Sequence, residues 1–319
     1  MMALVAEIQD AVAADAELLK AVVVRECEDF PSAKTFLQSR PAGVYTCARA
    51  KASEDVSTKK LVEWSFHLQR LSTGLAMVDT SFDKENVKLD RLKMATESLT
   101  ATVLTKWTSM ETVVDGMLSV LWYPMPDAAA YGVAVHICPM PQPKCLASTV
   151  LVYGEGREKA KCKHTQWIQN RVPIEKHVAQ LVETRGEPIH EVLLSKRGPN
   201  GDRLLLEGLI TNFFVVKDGA LFTAGEGVLE GSTRELVLKA CRDLAIPVAL
   251  EAPKLSERGS WQAAFVTSAV RVVIDVTRLL CEEEEGGRKV LRETSIPSDS
   301  SWFTRRIRDQ ILAKHMYLD

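Results

Sequence analysis

Glu207-Gly208-Leu209-Ile210-Thr211-Asn212-Phe213-Phe214-Val215-Val216-Lys217-Asp218-Gly219, followed by Leu229-Glu230-Gly231-Ser232-Thr233-Arg234, decides how this chain is read. It spells an acid at a strand end, a short loop, a second strand and a tight turn, and then a glycine leading straight into a helix. Gly231 lets the backbone come close, Ser232 and Thr233 offer hydroxyls, and the first amides of a helix have no intrahelical acceptor. Together these make an anion site. An acid and a phosphate cradle in one segment point to a ligand with a basic ring at one end and a phosphate at the other. The same letters admit a plainer reading. Ser232 with Glu235 three residues on is also a capping box, and a box of that kind need only start a helix.

The rest of the chain narrows the class. Its 319 residues suffice for two domains, each able to bury a core. A hydrophobic share of 46% and a charged share of 26% are those of a soluble globular protein. With a net charge of −2 and basic residues scattered among acids, no basic field favours nucleic acid or an anionic membrane. Seven cysteines (Cys27, Cys47, Cys138, Cys145, Cys162, Cys241 and Cys281) form an odd set with no CxxC pair. That argues for reduced thiols, and against a disulfide frame or a zinc site. The histidines lie far apart and no HExxH occurs, so no metal is expected. The N-terminus carries acids early and has no basic leader, and no apolar run approaches the roughly 20 residues needed to span a bilayer. The expectation is a cytoplasmic protein that acts on small molecules.

Periodicity predicts helices over residues 3–24, 61–77 and 82–108, the second with an apolar stripe of Leu61, Trp64, Leu68, Leu71 and Leu75. Short strands are predicted at 43–49, 113–123, 131–138 and 148–153, with Pro139, Pro141 and Pro143 closing the third. Beyond Gly154-Glu155-Gly156 the pattern alternates. It gives a helix near 173–182, strands near 189–194, 203–206 and 213–216, and a helix over 233–244. Strands near 248, 263–267 and 272–276 follow, then a solvated hairpin tip at 282–287 and a closing amphipathic helix from Ser301 to Lys314. This predicts an α+β or α/β protein of two domains, 1–153 and 157–319, joined by a linker at 154–156.

The pattern acid-Gly-x-x-x-Asn-aromatic-x-Val, then a turn, then Leu-x-Gly-x-Thr-Arg, resembles the class-IV aminotransferases. These are the fold-type IV pyridoxal-phosphate enzymes, among them branched-chain aminotransferase, D-amino-acid aminotransferase and aminodeoxychorismate lyase. The resemblance covers the second half well and the first half thinly. It implies a small N-terminal α/β domain, a larger C-terminal pseudo-barrel that binds pyridoxal 5'-phosphate, and a homodimer. It also implies a Schiff-base lysine ahead of the acid. Lys163, in Lys163-His164-Thr165-Gln166-Trp167, fits that place better than Lys161. A lysine suits the task because its neutral amine attacks an aldehyde and later carries a proton.

On the same resemblance, Glu207 pairs with the pyridine nitrogen and keeps the ring an electron acceptor. Asn212 and Gly231 belong to the cofactor-binding motif, and Ser232 and Thr233 hold the phosphate. Arg70 is a second phosphate ligand, in a stretch His67-Leu68-Gln69-Arg70-Leu71-Ser72 that resembles His-x-x-Arg-Leu-x-x-Ser. Phe265-Val266-Thr267-Ser268-Ala269 resembles the third phosphate loop. Ala269 stands there where a hydroxyl is usual, so that Thr267 or Ser268 substitutes or the contact is made by amides.

The N-terminal half departs from the pattern. In place of a Gly-Asp-Gly-Val-Phe-Glu type strand it offers Gly43-Val44-Tyr45-Thr46-Cys47-Ala48-Arg49. Tyr45, Arg49, Trp167 (where a tyrosine is usual) and Ala269 are the candidate substrate contacts. Transamination is the expected reaction. A lyase like aminodeoxychorismate lyase, using the same lysine, and a member of the fold whose chemistry has decayed are the alternatives.

Overall fold

The structure, a computed structural model, describes residues 2–14, 16–51, 61–83, 86–110, 114–126, 130–142, 147–297 and 302–316. Val113, Pro143, Cys145 and Ser301 lie outside the described residues. The chain divides into two compact units. One comprises residues up to 141 together with 162–170, and the other residues 142–161 and those from 171 onward.

In the first unit the described strands β1 (Ala3–Ile8), β2 (Arg25–Cys27), β3 (Val44–Ala50), β4 (Gly116–Pro124) and β5 (Tyr131–Pro139) form an antiparallel sheet in the order β2-β1-β5-β4-β3. The helices are α1 (Ala16–Lys20), α2 (Ala33–Gln38), α3 (Trp64–Val78), α4 (Asn86–Thr108) and α5 (Gln166–Asn170). Strands β4 and β5 are buried along almost their whole length, because α3 and α4 cover one face of the sheet and α2 the other. Such strands read as continuous apolar runs rather than alternating ones. Trp122 is fully buried, and its Nε1 donates to Thr96 Oγ1 of α4 at 2.7 Å, so the large ring meets the helix with its one polar atom satisfied.

The opening segment corrects the sequence expectation. Residues 3–24 carry helical spacing, yet Ala3–Ile8 is a strand paired with β5, and among the described residues of this range only Ala16–Lys20 is helical. Ala3, Leu4, Val5 and Ala6 are all buried, so both faces of the strand are covered and no period-two signal survives. A short apolar run of this kind is ambiguous between helix and strand. The chain therefore begins with a paired strand, not with helices.

The second unit is built on a sheet that closes on itself. Strands β6 (Ala147–Glu155), β7 (Glu191–Arg197), β8 (Arg203–Gly208), β9 (Asn212–Lys217), β12 (Ala263–Thr267) and β13 (Ile274–Glu285) run in the circuit β9-β12-β13-β6-β7-β8, and β8 pairs back onto β9. Strands β10 (Ala220–Phe222) and β11 (Val248–Ala249) extend the sheet beyond β9, and β14 (Arg288–Ser295) forms a hairpin with β13. Gly154 and Glu155 finish β6, whose parallel pairing with β7 and β13 makes it part of this sheet. Val150, Val152, Leu193, Leu205, Phe213, Val215, Ala264 and Val266 fill the interior, taken mostly at every second residue as closure of a sheet requires. Helices α6 (Val172–Arg185), α7 (Ser232–Asp243) and α8 (Phe303–Ile311) complete the unit. Among the described residues no helix is long and apolar enough to cross a membrane.

Candidate active site

In the first unit the candidate residues collect at the free edge of β3. Residues 163–165 run along that edge: Tyr45 N donates to Lys163 O at 2.8 Å, and Thr165 N donates to Gly43 O at 2.9 Å. Thr165 Oγ1 also accepts from Gly43 N, and Cys162 packs against Gly74 of α3. Gly43 is required here, since a Cβ would fall 2.1 Å from Trp122 O. These contacts fix the backbone of Lys163, whose Nζ lies 4.8 Å from the centroid of the Tyr45 ring. Trp167, half-buried, is the second residue of α5, and its N donates to His164 O. Arg49 pairs with Asp115 at 2.9 Å. Lys161, the rival to Lys163, is half exposed, belongs to the second unit and pairs with Glu230 at 3.4 Å.

Arg70 belongs to a polar group buried under α3. Its Nη2 donates to Thr46 Oγ1 at 2.7 Å and lies 3.3 Å from His67 Nδ1. Thr46 Oγ1 and His67 Nδ1 are 2.6 Å apart. A guanidinium only donates, so the nitrogen it faces is an acceptor. The Thr46 proton therefore points to Nδ1, and His67 is the neutral tautomer protonated on Nε2. Burial holds the His67 imidazole well below its usual range, and the charges of Arg70 and Lys163 press the same way. Burial also lowers the Arg70 guanidinium to about 10.

In the second unit the quoted motif becomes a single constellation. Glu207 at the end of β8 is the cross-strand partner of Asn212 at the start of β9, and Asn212 is the partner of Thr267 at the end of β12. Three residues thus stand side by side, one strand spacing of about 4.8 Å apart. Glu207 is 3% exposed; its Oε1 accepts from Arg157 Nε and Nη2 at 2.9 and 2.7 Å, and its Oε2 from Leu229 N at 2.9 Å. Asn212 Nδ2 donates to Leu229 O, which ties the row to the loop entering α7.

That loop ends on Gly231, the N-cap, with extended backbone and no side-chain cap. Ser232 is the first helical residue, so the capping-box alternative is not what forms. The serine and threonine hydroxyls are left uncommitted to capping, beside amides that a helix start leaves without intrahelical acceptors. A Cβ on Gly231 would fall 2.3 Å from Asn212 Oδ1, so the close approach of helix and row depends on that glycine. Thr267 Oγ1 is buried and has no hydrogen-bond partner among the described residues. Ser268 Oγ accepts from Arg271 N at 3.1 Å, which leaves its proton to be donated elsewhere.

Sequence reasoning missed Arg157, Thr46, and the role of His67. Arg157 sits in Glu155-Gly156-Arg157-Glu158-Lys159, a run of mixed charge that reads as a solvated turn. Thr46 stands where the resembling strands carry an acid, and that difference was a usable signal.

The geometry defines a fold-type IV arrangement: a closed sheet presenting a buried acid, and a helix start with hydroxyls. Residues 43–279 match the family described as Amino-transferase class IV, and the chain belongs to that family. It is 37% identical over 95 residues to a probable branched-chain-amino-acid aminotransferase of Thermotoga maritima, over 28% of this chain and 34% of that protein. The chain thus spans about a third of the length of this curated relative. Its structure is similar to that of a fold IV-transaminase from Curtobacterium pusillum, with a TM-score of 0.66, 16% identity and 97% of each chain covered. It is also similar to a hypothetical aminotransferase from Mycobacterium tuberculosis in its PLP-bound form, with a TM-score of 0.62, 15% identity, and 97% and 99% covered. At these identities the likeness shows the fold.

The family's cofactor is pyridoxal phosphate, and the residues of this chain fit it. The orphaned Thr267 hydroxyl and the uncapped start of α7 suit an anion, and the buried carboxylate of Glu207 suits a protonated ring nitrogen.

Proposed function

We propose that this protein is a pyridoxal-phosphate-dependent aminotransferase, which moves an amino group from an amino acid to a keto acid. The observation that carries the reading is the row Glu207, Asn212 and Thr267 set beside the uncapped start of α7. When bound, the cofactor supplies an aldehyde that bonds amines reversibly and a ring that accepts electrons. Lys163 would be the amine that holds it, and its free amine would be the base that takes the proton from the substrate Cα. Ser232, Thr233, Thr267 and Ser268 bind the phosphate, with Arg70 as its cationic ligand. Glu207 keeps the ring nitrogen protonated. Tyr45, Arg49, Trp167 and Ala269 are the substrate contacts.

We take the enzyme to work as a cytoplasmic homodimer, a reading supported by the family resemblance and by cysteine spacings unsuited to disulfides. Sedimentation should then give twice the chain mass.

The test is product analysis with candidate amino acids. Amino transfer that requires a keto-acid acceptor is the expected result. Release of pyruvate from an amino-acid substrate with no acceptor present would replace the transferase with a lyase.

A further inference from the structure

Two turns of the second unit carry the cofactor-facing residues, and one buried ion pair joins them. The turn 208–211 connects Glu207 to Asn212, and the loop 268–272 follows Thr267. Glu191, the first residue of β7, is 5% exposed. Its Oε1 accepts from Val192 N at 3.0 Å and from Leu209 N at 3.2 Å, so the carboxylate is anchored to β7 and to the first turn. A Cβ on Gly208 would fall 2.8 Å from the Glu191 carboxyl carbon, which shows how closely the acid underlies that turn. The other oxygen, Oε2, faces Arg271 Nη1 at 3.6 Å. Burial raises the Glu191 carboxyl; Arg271 opposes that, and so do the hydrogen bonds from Val192, Thr211 and Leu209.

The second loop needs such a hold. Val272 has a φ of +51°, a left-handed conformation that a β-branched residue adopts only under constraint. Three contacts keep it there: Val272 N to Ser268 O at 2.8 Å, Arg271 N to Ser268 Oγ at 3.1 Å, and Arg271 Nη2 to His190 O at 3.2 Å. Arg271 makes two of the three, and its ion pair with Glu191 links it to the anchored turn.

We propose that Glu191 and Arg271 are positioning residues: the acid is a fixed post, and the arginine tethered to it sets loop 268–272 so that Thr267 and Ser268 meet the cofactor phosphate. This rests on the aminotransferase reading and adds to it a pair that touches neither substrate nor cofactor. Glu191→Gln keeps an acceptor for both amides and removes the charge, while Arg271→Met removes the tether. The full-length apoprotein is titrated with pyridoxal phosphate and, separately, with pyridoxal, which lacks the phosphate.

Each substitution is expected to weaken pyridoxal phosphate by about tenfold and leave pyridoxal within about twofold. The double variant should be no weaker than the worse single one, because both changes break one link. Arg271→Lys keeps the charge without the fork and should lose less. A merely structural role would move both ligands together, or move the unfolding temperature alone, and either result overturns the proposal. So does a phosphate-specific affinity left intact in a folded Arg271→Lys and Arg271→Met. If the unaltered protein binds pyridoxal phosphate no better than pyridoxal, the phosphate assignment itself fails, a result distinct from failure of the tether.

Discussion

A carboxylate buried as deeply as Glu207 needs a compensating charge, and Arg157 provides it with two N–H groups on one oxygen. Both side chains are almost wholly buried, at 4% and 8% exposed. Removing one member of such a pair strands the other in a medium of low dielectric. Glu207→Gln is therefore expected to destabilise the fold by about 3–5 kcal/mol in chemical denaturation. A double change, Glu207→Gln with Arg157→Met, should recover part of that loss. An unchanged midpoint for Glu207→Gln would mean that the pair is not buried in solution. The second residue-scale claim concerns Thr46, which relays between Arg70 and His67. Thr46→Val removes the acceptor, so pyridoxal phosphate affinity should fall by about tenfold, while Thr46→Ser should stay near the original value. Equal affinity in the valine variant would detach Arg70 from the phosphate.

At the scale of elements, α7 carries the argument. Its first residue is Ser232 and its cap is a glycine, an arrangement that leaves the hydroxyls uncommitted to capping beside the first amides of the helix. Gly231→Ala places a methyl group against Asn212 Oδ1, whose amide is already held by Leu229 O. The helix start must move, at about 1–3 kcal/mol for an overpacked site, and cofactor binding should weaken with it. A titration that shows unaltered affinity in this variant would place the phosphate elsewhere. Much of this element was legible beforehand, because Gly231-Ser232-Thr233 names its own chemistry. What could not be read was which residue caps: serine and glycine are both good caps, and the choice is made by the packing of Asn212 against the glycine. The helix α3 shows the converse. Its apolar positions were plain, but the buried polar side of His67 and Arg70 faces Thr46, a residue of a strand about twenty positions earlier, and no local period records that contact.

Across the whole molecule, the second unit followed its sequence closely. Its strands are short apolar runs, and its turns are marked by Asp218-Gly219 and Gly286-Gly287, where all four residues have positive φ. The first unit did not, because β1 is buried on both faces and loses the alternation that would reveal it. Closure of the barrel was equally invisible, since it depends on β8 meeting β9 across one pair, Glu207 with Asn212. The molecule should also be acid-sensitive through its buried histidines. His136 is stacked on Phe36, gives its Nε2 proton to Phe30 O and has no partner for Nδ1 among the described residues. Burial lowers its imidazole to about 4. Above about 6.5 both folded and unfolded chains are neutral at this group. As the pH falls, the unfolded chain takes up a proton that the folded one refuses, so stability is lost progressively from about 6.5 toward 4. His67 adds to the loss in the same direction. The unfolding temperature is expected to drop between pH 7 and 4.5, and to drop less in His136→Gln, which keeps a donor for Phe30 O. A profile as steep in that variant as in the parent would assign the sensitivity to other groups.

The central claim is that one amine, Lys163, bonds to the cofactor aldehyde. Borohydride reduction of the protein loaded with pyridoxal phosphate, followed by peptide mass spectrometry, reads this directly. The expected result is a visible absorbance band that reduction removes, with the added mass on the peptide carrying Lys163, and neither band nor turnover in Lys163→Ala. Mass fixed on Lys161 or another lysine, or full activity in Lys163→Ala, would contradict it.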